Sequence, residues 1–198
     1  MKKYIGPLLS VAVAAFALFA AGCASAPSKF YTLSAAAAAD DTPAVPCAIV
    51  VGPVTVPTLV DRPQFTLQVT PNRVEQDEFN RWAEPLNENI ARVVAYNLSV
   101  LLGTTDVATT TRASMKPGYQ VAINLERFDS VPGKSAKIDA QWTVQKLPAG
   151  TMISGHTAGE EPVKGNDPEA LAKAHSQALA KLSRDIAASI RADAGEKP

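Results

Sequence analysis

Few side chains in this chain of 198 residues have the types and spacing that chemistry needs. His156 and His175 are the only histidines, and they are not spaced as a zinc pair, nor does an acidic motif lie beside them. His156 reads as a polar strand residue, and His175 as a boundary residue beside an apolar helical stripe. Gly133-Lys134-Ser135 copies the tail of a phosphate-binding loop. The full motif needs a glycine five residues earlier, where Phe128 stands, and a helix immediately after, where the pattern is that of a strand. Ser154-Gly155-His156 lacks the flanking glycines of a nucleophile elbow. No catalytic, metal-ligating or cofactor-binding residue is assigned, and the chain reads as a non-enzyme. A triad assembled only in space keeps a periplasmic hydrolase as the remote alternative.

The two cysteines are too few for a disulfide framework or a four-cysteine metal site. Their surroundings differ. Lys2 and Lys3 precede a run, Leu8 to Ala21, in which Ser10 is the only polar side chain. That run is shorter than the ~20 apolar residues a spanning helix requires. It ends Ala20-Ala21-Gly22-Cys23, which completes the charge, apolar core and small-residue order of a secretory signal. With a cysteine at the cut, the segment resembles a bacterial lipobox, although Ala20 stands where leucine is usual. Cleavage between Gly22 and Cys23 would leave Cys23 as the lipid-attached first residue of the mature chain. Each buried methylene contributes about 0.8 kcal/mol and one acyl chain binds only marginally, so the two or three chains of a lipoprotein give a stable anchor. In enterobacterial lipoproteins aspartate after the cysteine retains the protein at the inner membrane, so Ala24 points to the outer membrane. Cys47, in the apolar run Cys47-Ala48-Ile49-Val50-Val51, reads as a small buried hydrophobe, with an intermolecular disulfide in an oxidising compartment as the alternative.

Nineteen basic residues balance nineteen acidic ones, which excludes the basic excess of a nucleic-acid binder. Loss of the signal removes Lys2 and Lys3, its only charges, and leaves the formal charge at −2. Residues 23–28 form a small-residue tether, 29–192 one domain and 193–198 a tail. Within the domain, Phe30 to Leu33 resembles a first strand. Ile49 to Val56 is almost continuously apolar, as in a buried strand, with Gly52-Pro53 marking a bulge. Phe65, Leu67 and Val69 alternate with polar neighbours. Trp82, Leu86, Ile90, Val93, Val94, Leu98 and Leu101 then recur at helical steps, with Pro85 in the first turn and Gly103 as the stop. Asn97-Leu98-Ser99 inside this helix matches a glycosylation sequon by chance. Tyr119 to Leu125 and Ile138 to Val144 alternate around a turn at Pro132-Gly133-Lys134, the pattern of a hairpin. A weaker strand runs from Thr151 to Thr157. Asp167-Pro168 starts a last helix whose stripe is Leu171, Ala174, Ala178, Leu179, Leu182, Ile186 and Ile190. The fold class is α+β: a two-layer sandwich, with a predominantly antiparallel sheet and two main helices on one face.

Three internal segments carry a resemblance. Val51-Gly52-Pro53-Val54-Thr55-Val56-Pro57 leads into Leu59-Val60-Asp61-Arg62-Pro63-Gln64. Arg81-Trp82-Ala83-Glu84-Pro85-Leu86 opens a helix ending Asn97-Leu98-Ser99. With Lys29-Phe30-Tyr31-Thr32-Leu33 in front and Ala140-Gln141-Trp142 behind, the ordered set resembles the ABC-type transport auxiliary lipoproteins, a family of PqiC-like, paraquat-inducible outer-membrane lipoproteins. The resemblance spans about Lys29 to Ile190.

It implies a periplasmic domain anchored to the outer membrane by Cys23. The implied partner is an MCE-domain tunnel protein, PqiB-like, in a system moving lipid between the two membranes. A homo-oligomeric ring docking on that tunnel is also implied. A lipid carrier with an apolar cavity is the alternative. The motif residues themselves have plain structural readings: prolines that set bends, an Asp61–Arg62 local pair, and Trp82 and Trp142 as core. No contact residue is named beyond the lipid-attachment site.

Overall fold

The computed structural model describes residues 27–39, 41–111 and 113–195. The strands are β1 (Lys29–Tyr31), β2 (Ile49–Thr55), β3 (Gln64–Thr70), β4 (Arg73–Trp82), β5 (Val107–Ala108), β6 (Tyr119–Val131), β7 (Ser135–Lys146) and β8 (Met152–Pro162). The helices are α1 (Leu86–Leu102) and α2 (Pro168–Asp193).

The strands form one sheet that branches at β6. Antiparallel β7 covers one side of β6 along its whole length. The other side is shared: parallel β2 takes residues 119–124, and β3 joins in parallel at Ser130. From β2 the sheet ends at β5; from β3 it continues through antiparallel β4 to parallel β1. Beyond β7, antiparallel β8 forms the far edge. The long ladders are antiparallel, as the alternating strands predict, and the parallel pairs are short additions. α1 packs on β2 and β5, α2 on β7 and β8, and the helices pack on each other. The layer between them holds Leu98, Leu102, Leu179, Leu182 and Ile186, all fully buried.

The local signals operate where the physics is local. Asp167 caps α2 by accepting from the Glu169 amide, with Pro168 in the first turn. Gly103 ends α1 in the left-handed conformation, φ 62°, with its amide returning to the Ser99 carbonyl. Gly133 takes φ 67° in the β6–β7 turn, so Gly133-Lys134-Ser135 is a hairpin end and no phosphate loop. The β2 register shifts between Val51 and Val54, at Gly52-Pro53.

Two expectations need correction. Trp82 ends β4 and is not in α1, while Pro85 is the residue capping the helix, one position before its first turn. The four-residue steps from Trp82 through Leu86 to Ile90 imitate a helical stripe because the chain turns at Ala83–Pro85 and returns both side chains to one core. The second is Ala35–Ala39, which reads from the sequence as a flexible loop although its alanines alone favour helix; it is neither, and side chains from both helices hold this stretch.

Candidate functional site

All the segments that carry the family resemblance except Ala140-Gln141-Trp142 come together at one end of the sheet. Trp82 donates its amide to the Pro63 carbonyl at 2.7 Å, and Ala83 to the Tyr31 carbonyl at 2.8 Å. These bonds bring the front strand, the Asp61-Arg62-Pro63 turn and the Arg81–Pro85 segment into register. Between the last two lies a groove of about 410 Å³ lined by Asp61, Arg62, Pro63, Trp82, Glu84 and Pro85. A second groove of about 500 Å³ adjoins it across Glu84, with Val51, Gly52 and Pro53 on one wall and Glu88, Ala91 and Arg92 on the other. Both are open and polar-rimmed. Among the described residues no ion pair joins Asp61 to Arg62; the Arg62 Nε is buried without a hydrogen-bond partner, while Asp61 is exposed.

Glu84 is the hub. Its Oε1 accepts from Arg92 and from the buried Asn89, and Thr32 completes the cluster, its hydroxyl accepting from Asn89 at 2.7 Å. Asn89 also accepts the Leu33 amide at 3.2 Å. Eight residues on, fully buried Asn97 accepts the Ala36 and Ala37 amides at 3.1 and 3.0 Å and donates to Ser183 on α2 at 3.2 Å. The Ser176 hydroxyl takes the Ser34 amide at 3.1 Å. An extended stretch that pairs with no strand is thus fixed by side chains from both helices, because its amides would otherwise lie unpaired. From the sequence, Asn89 has no reading, and Asn97 only that of a chance sequon. The available signal was two asparagines on the apolar face of a helix at a spacing that keeps them aligned.

Trp82, which lines the first groove, belongs to a file of rings. Tyr31 meets Phe65 edge-on at 5.4 Å, Phe65 stacks on Trp82 at 4.0 Å, and Trp82 meets Phe128 at 6.0 Å. Phe128 stacks on His175 at 3.7 Å. Such pairs contribute about 0.5–1.5 kcal/mol each beyond their buried area, so the file braces Trp82 from β1 on one side and from α2 on the other. His175 is therefore core and not boundary: it is fully buried, with Nε2 2.9 Å from the Ser130 hydroxyl. Burial pushes its pKa down to about 3, which keeps the ring neutral.

The remaining candidates do not converge on these grooves. His156 is exposed on β8 beside Asp139 of β7. Trp142 is core, its indole donating to Thr157 at 3.1 Å. Cys47 is half-buried against the core. At the far end of α2, Asp193 accepts from Thr151 at 2.6 Å and Tyr119 at 2.9 Å and pairs with Lys146 at 3.0 Å. Those contacts, Thr151 foremost, hold its carboxyl below the usual range. Among the described residues no three potential ligands cluster as a metal site, and no helix is long and apolar enough to cross a membrane. Gly22 and Cys23 lie outside the described residues.

The model for the ABC-type transport auxiliary lipoprotein component matches residues 31–187. The chain belongs to that family, and so to the lipoproteins that sit at a membrane on its periplasmic side and serve a transporter. A search of curated proteins finds no significant match. Among solved structures, an uncharacterized protein is similar over 83% of this chain and 99% of its own, with 20% identity and a TM-score of 0.69. A Xanthomonas campestris protein of the DUF330 family is similar over 84% and 96%, with 19% identity and a TM-score of 0.68. At these identities the likeness shows the fold.

Proposed function

We propose that the mature protein is an outer-membrane-anchored, non-enzymatic subunit of an MCE-type lipid transport system, which works by binding and assembly. The anchor is a lipid on Cys23, the first mature residue. The partner is the periplasmic end of an MCE-domain tunnel protein, and the domain meets it as a homo-oligomeric ring. One observation carries the reading beyond family membership: the family-bearing segments, distant in sequence, build one continuous pair of grooves around Glu84. A tether confines subunits to one surface and raises their effective concentration for assembly. A head-to-tail contact that closes by rotation then gives a ring rather than a filament. The carrier alternative needs a cavity lined by apolar side chains on the concave side of the sheet, whereas the grooves around Glu84 also carry Asp61, Arg62, Glu88 and Arg92.

The test compares wild type with Cys23→Ala behind a cleavable secretory signal, by crosslinking and co-purification from membranes. Tether loss should weaken assembly and compromise the outer-membrane barrier without unfolding the domain. If no MCE protein co-purifies and the untethered form is fully functional, the transport-subunit reading fails. Mass spectrometry that finds Cys23 unmodified, or the N-terminus elsewhere, removes the anchor.

A further inference from the structure

Two phenylalanines are among the most exposed large apolar side chains, Phe30 at 65% and Phe79 at 48% of their free surface. They belong to the same sheet edge. β1 pairs in parallel with β4, Phe30 opposite Arg81, two residues beyond Phe79. Phe79 rides on an outward bulge: the β3–β4 register jumps from Gln64 opposite Arg81 to Phe65 opposite Asp77. That bulge is built and held. Asp77 accepts the Phe79 and Asn80 amides, both at 3.0 Å, and the Asn80 side chain at 2.7 Å. Tyr31 then fastens Asn80 from β1 at 2.9 Å. Bulges re-aim side chains, and this one presents a bare ring to solvent through a closed hydrogen-bond set.

The chain ahead of this edge says what covers it. Phe30 is seven residues after Cys23, a reach of at most about 25 Å even fully extended. β1 and β4 also run in the same direction, so Phe79 and Phe30 stand at the tether end of the edge, while the Glu84 groove follows at its far end. The nearby charges balance: Arg81 pairs with Glu78 and Arg73 with Glu75, while Lys29 and Asp77 add one charge of each sign. A surface with no net charge and two exposed phenylalanines suits the headgroup–acyl boundary of a bilayer, where apolar rings bury, better than an anionic partner.

We infer that the β1–β4 edge docks on the bilayer that holds the anchor, with Phe30 and Phe79 seated in the headgroup region and the Glu84 grooves turned toward the periplasm. The inference rests on the anchor at Cys23, and its test is arranged to separate the two. Full-length protein bearing Phe30→Trp, processed in cells and purified from membranes, is reconstituted into phosphatidylethanolamine–phosphatidylglycerol vesicles containing a shallow nitroxide-labelled lipid. Tyr96→Trp, at an equally exposed site on α1, is the reference. Emission from each introduced tryptophan is taken as the difference from the parent protein, which carries only Trp82 and Trp142. From position 30 it should fall at least twofold, from position 96 it should not, and 0.5 M salt should leave the difference intact. Phe79→Ser should halve the quenching at position 30. If mass spectrometry shows Cys23 without lipid, the anchor fails, and coupling Cys23 to a maleimide lipid in a Cys47→Ser background restores the tether so that docking is still read. Equal quenching at both positions, or none at position 30 in a tethered protein, overturns the docking. A position-30 emission shifted to the blue without quenching also overturns it, because the edge is then covered by a second copy of the chain.

Discussion

Burial fixes the protonation state of His175, and this makes the protein acid-sensitive at one identifiable residue. With its pKa near 3 in the folded chain and about 6.5 once unfolded, the unfolded state binds the extra proton throughout that interval. Stability from the neutral ring is therefore complete above about pH 6.5 and is lost as pH falls toward 3, at up to about 1.4 kcal/mol per pH unit. Urea unfolding between pH 6.5 and 5, above the carboxylate range, should show that slope in wild type and a flatter one in His175→Gln. Equal slopes would mean the ring is solvated. Asn97 carries a different cost. Asn97→Ala removes the acceptor of the Ala36 and Ala37 amides, both within reach of solvent, a loss of about 0.5–1.5 kcal/mol per bond, with faster hydrogen exchange at those two amides as the local sign. The histidine's role was not legible from the sequence, because a histidine beside an apolar stripe looks the same whether it faces solvent or core, and only Phe128 and Ser130 decide. The alignment of Asn97 with Asn89 on the apolar face marked it, but what it holds, the 36–37 backbone, lies 60 residues away.

Helices and strands whose period matches one buried face were readable, and those without such a face were not. α2 declares itself through Asp167-Pro168 and an apolar stripe that the structure buries from Leu171 to Ile190. β6 and β7 alternate because one face meets the helices. Leu182, fully buried in that stripe, should cost about 2–5 kcal/mol on truncation to alanine; a loss below about 1 kcal/mol, measured by denaturant unfolding, would show that the stripe is not core. β4 escaped notice for the opposite reason. Its residues Arg73, Glu75, Gln76 and Glu78 are exposed and only Trp82 is buried, so no hydrophobic period exists to detect. β3 was read from the alternation of Phe65, Leu67 and Val69, although its burial fades from Phe65 to exposed Val69. The hairpin is held by its ladder and its root, not by an apolar face. The Thr32–Ala39 stretch lacks even a ladder, and its order depends on Asn89, Ser176 and Asn97 reaching it from two helices.

At the scale of the molecule, the arrangement is directional. Residues 27–28 lead into one edge of the sheet, the β1–β4 pair runs away from them, and the Glu84 grooves open at the end of that run. The sequence carried the family, the α+β layering and the segments of the grooves, but not their meeting, because the contacts between Pro63 and Trp82 and between Tyr31 and Ala83 cross long stretches of chain. The central claim is that this grooved end is the face that meets an MCE tunnel protein. Ala83 is exposed at the junction, so a photo-crosslinking amino acid placed there, in cells expressing the full-length protein, reads the claim directly. The account predicts an ultraviolet-dependent adduct with an MCE-domain protein from position 83, and none from position 149 in the β7–β8 turn. No MCE adduct from position 83, in cells where the MCE protein is present and the variant is folded and anchored, would contradict it.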